Sequence, residues 1–463
     1  MSMRTVIRNA EVEGRRVSVV IDRDVVVELA EFVDLDDADV IDAQGGALLP
    51  GLHDHHVHLL AMAARREGVD LDPLNDRQQF ELALQQAAAL SGAGWVRASG
   101  YDEHRHGELD RHRLDALVGS RKVRVQHRSG LAWILSSAAL EAVSDGELPE
   151  GVERDGDGQP TGRLLRLDGW LAERVGVVTP SLSEVGSDLA GFGITGITDA
   201  TPNLGRGRIE VLRQAKADGS LPQRLTLLGV SDDERAAVEG WAMIGPAKVL
   251  VDEVIGLDPD LLAQLITAHH AAGRAVAIHA VSRAETVTTA TAFALAGMRE
   301  GDRIEHGSVL PSDLDSLLAS ERVTVIIQPG LVHERGDHYL DVVDSDDLPF
   351  LHRAASLLNA GVRVAAGSDA PVTSVDPWLA IAAASSRSTR AGKTLGGAER
   401  VDAEIALGWF LTDPLDPGGS VRRVRVGACA DLCLLDAPLA TVLAHPDASH
   451  VRMTWVGGRL VHS

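Results

Sequence analysis

Four histidines and an aspartate fall within six consecutive positions: His53, Asp54, His55, His56 and His58. His56 and His58 are an i, i+2 pair. Alternate side chains of a β-strand share a face, which would set both imidazoles on one side, about 6–7 Å apart along the backbone. Neutral imidazole is the commonest protein ligand for zinc-like metals, so a shared metal ion is the chemistry this spacing suits. A His-rich surface turn is the alternative for this stretch taken alone. Three more ligand-type residues sit at the ends of short runs. His279 closes Ala275–Ile278, His306 closes Arg303–Glu305, and Asp369 follows Val364–Ser368 and precedes Ala370-Pro371. A single such histidine is ordinarily a hydrogen-bonded core residue. Three at successive run ends, with the His56/His58 pair, favour a metal site. His269 and His270, just before Gly273, and His104, His106 and His112, in an Arg-rich stretch, read as surface residues.

Lys248 is a further candidate. The chain has four lysines (Lys122, Lys216, Lys248 and Lys393), arginine supplying the rest of its positive charge. A lysine inside the apolar run Gly245–Val251 is therefore unlike a generic surface cation. Burial disfavours the charged amine, and a neutral amine can add to CO2, giving a carbamate whose oxygens could bridge two metals. The alternative is a lysine salt-bridged to Asp252 or Glu253.

These groups need elements to hold them. Both ends of the chain alternate as short strands: Thr5–Asn9, Arg16–Ile21, Val25–Glu28 and Asp39–Asp42, then Asp431–Leu435, Met453–Val456 and Arg459–His462 after the Gly457-Gly458 turn. They predict one small β-sandwich domain from residues 1–48 plus 418–463. The middle alternates helix and strand. Its clearest unit is helix Asp260–Ala272, Gly273 as cap, and strand Arg274–His279. Helices are also expected over Arg77–Leu90, Ala284–Leu295, Ser312–Leu318 and Pro349–Asn359. Strands are expected at Trp95–Gly100, Val123–His127, Gly193–Asp199, Leu225–Val230, Ala247–Val251, Arg303–Glu305, Val323–Ile327 and Val362–Ala366. Such alternation implies βα units and a parallel sheet, so a (β/α)8 TIM-like barrel is expected over residues 49–417. In such barrels the chemistry sits at strand C-termini, where the ligand-type residues lie. The acidic stretch Asp341–Asp347 reads as a solvated loop or lid.

Composition bounds the rest. The 463 residues are 45% hydrophobic, with 46 glycines and a net charge of -23. That charge argues against a nucleic-acid-binding surface and, weakly, against a polyanionic substrate. No long apolar span predicts a membrane crossing. The start, Met1–Arg8, has no apolar signal core and runs into a strand pattern. Cys429 and Cys433 are too few and poorly spaced for a disulfide framework or a zinc ribbon, implying a reducing cytoplasm.

Taken together, the ligand residues resemble the metal-dependent amidohydrolase superfamily: His-x-His on strand 1, Lys on strand 4, His on strands 5 and 6, and Asp on strand 8. Within it, Pro50–Leu59, Trp95–Glu103, Gly130–Leu140, Gly193–Asp199, Arg274–His279, Arg303–Gly307, Gln328-Pro329, Gly367–Val372 and Gly427–Asp436 are similar to the amidohydrolase-3 group, which includes N-substituted formamide deformylase. There are departures. Leu131 and Ser136 stand where many members carry His and Asn. Ser282-Arg283 replaces a Gly-Asp, and Asp252-Glu253 an Asp-Gly.

The resemblance implies a non-peptide C–N hydrolase with a binuclear centre, zinc being favoured and iron, manganese or cobalt allowed. His56, His58 and Asp369 would hold one metal, and His279 and His306 the other. Carboxylated Lys248 and a hydroxide would bridge them, and Asp369 would shuttle the proton. Tyr101, Trp133, Gln328 and His333 are the candidate substrate-binding residues. A small-molecule substrate and a homodimer are also implied. Two other readings compete. A mononuclear deaminase would use a Glu three residues after the strand 5 histidine, but that position is Ser282, with Glu285 six residues on. A non-catalytic binding scaffold would lack ligands that this chain retains.

Overall fold

The computed structural model describes residues 4–90, 94–175, 180–251, 253 and 256–463, which form a mixed α/β fold. The chain divides into two compact units, one of residues 1–59 with 182–463, the other of residues 60–181.

The strands of the first unit include β1 Leu52–Val57, β2 Ile194–Asp199, β3 Arg224–Leu227, β4 Ala247–Leu250, β5 Val276–Ala280, β6 Arg303–His306, β7 Thr324–Ile327 and β8 Arg363–Ala366. β1, β2 and β3 pair in parallel, extended by Met243–Ile244, and β4 to β8 form a second parallel sheet in chain order. Backbone hydrogen bonds join the two sheets at both ends. On one side Lys248 N donates to Leu228 O (3.3 Å); on the other Asp369 N donates to His56 O (2.7 Å) and His58 N to Ala370 O (2.9 Å). Arg274 reinforces the first seam: its guanidinium donates to the carbonyls of Gly245 (3.0 Å) and Leu228 (2.8 Å).

Helices follow strands because the sequence caps them well. Helix α1, Pro259–Ala271, starts with Pro at its first position behind Asp258, whose side chain accepts from Asp260 N and Leu261 N. Helix α2, Arg283–Ala296, opens on a capping box of Ser282 and Glu285.

The chain ends supply two antiparallel-rich sheets. One orders Val25–Ala30, Arg15–Asp22, Arg4–Val12 and Asp39–Asp42; the other orders Arg459–His462, Val451–Val456, Leu432–Leu435 and Leu48–Pro50. Both contribute to one apolar cluster, with Ile7, Val19 and Ile21 from the first and Leu432, Leu434 and Trp455 from the second.

The second unit departs from the expected pattern. Val96–Tyr101 and Val123–His127 do form, but within a separate six-stranded mixed sheet that also takes in Ala132–Leu135 and Pro160–Leu165. Local alternation sets the strand; it does not choose the sheet. The expected helix Pro349–Asn359 is broken into a 3-10 turn, Leu348–Phe350, and a short helix, Ala355–Asn359. Between them His352 has left-handed backbone (φ 49°), and Arg353 is held by Asp315 at 2.7 and 2.6 Å. The acidic stretch is not all loop, because helix Gly330–Val342 runs into it. Asp252 lies outside the described residues, so the alternative of a Lys248–Asp252 ion pair does too. No helix among the described residues is long and apolar enough to cross a membrane.

Candidate metal centre

All six residues of β1 are buried although four of them are polar. Burying polar groups is costly unless each finds a partner, and here the partners are specific. His53 Nε2 meets Thr198 Oγ1 at 2.9 Å, and His55 Nε2 meets Thr412 Oγ1 at 2.9 Å. Asp54 accepts from His56 N (2.9 Å), Ser368 N (3.1 Å) and Ser368 Oγ (2.6 Å). The Asp54 carboxylate thus ties β1 to the segment after β8, although burial pushes its carboxyl up to about 6.

His56 and His58 do share a side, their ring centroids 5.3 Å apart. Asp369 Oδ1 lies 3.2 Å from His58 Nε2 and 3.4 Å from His56 Nε2. The His306 ring is 4.7 Å from that of His56 and 4.6 Å from that of His279. His56, His306 and Asp369 each offer a donor atom within 4.8 Å of the others. Sheet register explains the convergence of the later strands: β5 and β6 pair His279 with Glu305 and Ala280 with His306, and β4 sets Leu250 beside His279. His306 and Asp369 both sit in left-handed backbone, φ 75° and 58°. That conformation costs a non-glycine residue about 1–3 kcal/mol and recurs at functional sites.

Each of three rings is oriented through Nδ1, leaving Nε2 toward the cluster. His56 Nδ1–H donates to Glu305 Oε2, His306 Nδ1–H donates to Gln328 Oε1 (2.9 Å), and His58 Nδ1 pairs with Thr201 Oγ1 (3.2 Å). Such outer partners fix the tautomer that a metal ligand needs. Burial pulls His56 down to about 3 and also lowers His306 and His279, keeping these rings in the neutral, ligating form. Burial works to raise Asp369, but the His58 hydrogen bond and the nearby His306 and His56 outweigh it and hold the carboxyl well below its usual range.

Lys248 points into the same surroundings. Its Nζ is sealed from solvent without a hydrogen-bond partner among the described residues, and burial pulls the amine down to about 8 against the attraction of Glu305 and Asp369. His56 Nε2 is also buried without a hydrogen bond among the described residues. Unsatisfied buried groups of this kind are costly. Two of them beside three imidazoles and a carboxylate fit a divalent cation, whose preferred ligands are these nitrogens and oxygens.

The candidate pocket residues each have hydrogen-bond partners of their own. Gln328 is fully engaged: its oxygen accepts from His306 and its amide donates to Ile326 O at 3.0 Å. It is therefore a support for a ligand rather than a free pocket group. His333, half-buried, directs Nδ1–H to Ser388 O at 3.2 Å. In the second unit, Tyr101 Oη donates to Gly107 O (2.9 Å) and Trp133 Nε1 to Asp168 Oδ1 (2.8 Å); both side chains are buried. Of the five histidines expected at the surface, His104 and His112 are exposed and His269 is half-buried. His106 is fully buried, stacked on Phe80 with Nε2 on Leu74 O at 3.0 Å, and His270 bonds Asp302 at 3.0 Å. Glu285 spends its carboxylate on Val281 N (2.8 Å) and Ser282 N (3.1 Å), as a helix cap.

The sequence reading missed Glu305 and Arg303. Both are buried, and Arg303 Nε stands 2.5 Å from Glu305 Oε1. Arg303, followed by His56 and Lys248, holds the Glu305 carboxyl well below its usual range against the effect of burial. An ionised carboxylate behind a histidine raises its basicity as a ligand. Glu305→Gln is therefore expected to weaken metal binding by about 10–100-fold. Competition with a chromogenic chelator measures this; unchanged affinity would reduce Glu305 to a counter-ion for Arg303.

Comparison with known proteins gives the same direction. The amidohydrolase family model Amidohydro_3 matches residues 39–462. The N-substituted formamide deformylase of Arthrobacter pascens is 27% identical over 494 residues, covering 92% of this chain and 90% of its own. The amidohydrolase YtcJ of Bacillus subtilis is 24% identical over 431 residues, covering 80% of each. Among solved structures, an uncharacterized metal-dependent hydrolase from Pyrococcus horikoshii has a similar fold, with a TM-score of 0.76 at 18% identity over 94% of this chain and 97% of that one. With the family model matched over nearly its whole length, this chain belongs to the amidohydrolase family.

Proposed function

We propose that the protein is a metal-dependent hydrolase that cleaves a non-peptide C–N bond in an amide, an N-substituted formamide or a cyclic amide. The observation that carries this reading is the convergence of His56, His58, His279, His306 and Asp369 with a Lys248 amine that has no hydrogen-bond partner among the described residues. The formamide deformylase relative, aligned over 92% of the chain, supports a small amide substrate. The reading includes an architecture: β1 to β8 close into a (β/α)8 barrel, and the two terminal sheets face one another as a β-sandwich. The seam hydrogen bonds of Lys248, Asp369 and His58, and the shared apolar cluster, support it.

His56, His58 and Asp369 would hold one divalent ion, preferably zinc, and His279 and His306 a second. Lys248 would serve both as its carbamate. For that its neutral amine adds to the carbon of CO2, forming an N–C bond and releasing one proton. Bound metal supplies Lewis acidity that polarises a carbonyl and acidifies water. Asp369, held ionised, is in the form that takes the proton of the attacking water. Once protonated at a carboxylate oxygen, it can return that proton to the leaving nitrogen, which an amide otherwise expels poorly. Glu285 is committed to capping its own helix, Oε2 accepting from Val281 N and Ser282 N, which disfavours a role as a deaminase-type proton donor.

The test is elemental analysis of the purified protein before and after incubation with bicarbonate, alongside a panel of formamides and cyclic amides. Two metals per chain, with full occupancy requiring bicarbonate, are expected. One tightly held metal indifferent to bicarbonate would overturn the bridged site and make Lys248 a structural residue.

A further inference from the structure

One face of the sheet in the second unit gathers cations. Strands Val96–Tyr101 and Val123–His127 pair in parallel, setting Arg97 beside Arg124 and Ser99 beside Gln126; Ala132–Leu135 sets Trp133 beside Gln126. Cross-strand partners, and residues two apart on a strand, share a face. Both guanidinium carbons lie over the Trp133 ring, 5.5 and 5.3 Å from its centre. Like charges in register repel, and these two find few partners among the described residues. Arg97 Nη2 donates to Gln126 Oε1 at 3.3 Å, while Nε of Arg97, Nε of Arg124 and the Ser99 hydroxyl are buried without a hydrogen bond. Asp168 and Glu67 attract Arg97, but Asp168 accepts from Trp133 Nε1 (2.8 Å) and Glu67 from Ser181 N (2.7 Å). Burial alone acts on the Arg124 guanidinium, pulling its pKa down with no carboxylate to offset it. Other arginines of this unit stand on acids, Arg105 on Asp102 at 3.0 Å and Arg113 on Glu81 at 3.1 Å. In a chain of 67 acidic and 44 basic side chains, carboxylates are not scarce.

We propose that this face binds a small oxyanion, the phosphate or carboxylate group of a small molecule, through the guanidiniums of Arg97 and Arg124 with the Ser99 hydroxyl as a third donor. Buried donors without acceptors and cations without counter-ions are costly. A neutral ligand would satisfy the donors and leave the charge; an oxyanion answers both, and guanidinium geometry suits it. Trp133 has a part in this. Cation–π contact holds the two guanidiniums in place without using their N–H groups, and the ring is itself fixed through Nε1 by Asp168. Both arginines are half-buried, so part of each remains open to solvent. A polyanion would be repelled by the rest of a chain of net charge -23, whereas a single anionic group meets two cations here. None of the proposed metal ligands takes part, so this site stands or falls apart from the hydrolase reading.

Calorimetric titration of the full chain with inorganic phosphate, and separately with malonate, tests this at an ionic strength held constant with sodium chloride. One of the two is expected to bind with a dissociation constant below about 1 mM, and the tighter one identifies the oxyanion. Arg124→Gln should weaken that binding about tenfold or more, with Arg97→Gln serving if the first variant fails to fold. Arg154→Gln removes the same charge from an exposed strand end of the same unit and should bind as the wild type does. Three results would each overturn the proposal: neither anion binds the wild type, binding survives unchanged in a folded Arg124→Gln or Arg97→Gln, or Arg154→Gln weakens it equally.

Discussion

Replacing Asp369 by Asn is expected to lower amide hydrolysis by about a thousandfold or more while leaving the protein folded. Asn keeps the shape of Asp and one oxygen for His58 Nε2, now 3.2 Å from the carboxylate. It also tolerates the left-handed backbone at this position as well as Asp does. What it cannot do is accept a proton from water and pass it to nitrogen. The loss should fall on kcat more than on KM, because the missing interaction belongs to the transition state. Steady-state kinetics on any amide that the wild type turns over, with a thermal melt as the folding control, decides the matter. Near-normal turnover by a folded Asp369→Asn variant would remove Asp369 from the proton path.

The second large effect is expected at Lys248. Lys248→Ala should lower the metal content from two ions per chain to one or fewer, with activity falling in step. Added acetate or propionate should restore both in part, because a small carboxylate can occupy the place of the carbamate. The metal-free protein should also melt at a lower temperature, since removing the ion would leave the largely buried Asp369 carboxylate without the ion's charge. Elemental analysis with and without the added acid measures the first effect and scanning calorimetry the second. A Lys248→Ala variant with full metal and full activity would end the carbamate proposal.

How far the sequence reveals this site depends on the range of the interactions involved. Ligand-type residues at run ends are local signals, and the structure does bring His56, His58, His279, His306 and Asp369 together. Glu305 is illegible by the same logic. A glutamate in the four-residue strand Arg303–His306 reads as solvent-facing, and its partner His56 lies 249 positions away. Asp54 looked like one more polar residue in a His-rich run; its pairing with Ser368 spans 314 positions. His106 misled for a related reason, since an Arg-rich neighbourhood suggested solvent while Phe80 supplied a ring to cover it. The strands Val96–Tyr101 and Val123–His127 were legible as strands, but their membership of a separate six-stranded sheet was not. Periodicity reports the burial of a face and is silent about which neighbour buries it.

The seams between the two parallel sheets have a kinetic consequence. The backbones that stitch them belong to the proposed ligand residues themselves: Lys248 on one side, His56, His58 and Asp369 on the other. Loosening either seam would therefore scatter the proposed donor atoms, and a bound ion would in turn hold the two sheets together. Metal should then slow the unfolding of the unit: its unfolding rate in denaturant should fall when the ion is bound and rise again once a chelator has removed it.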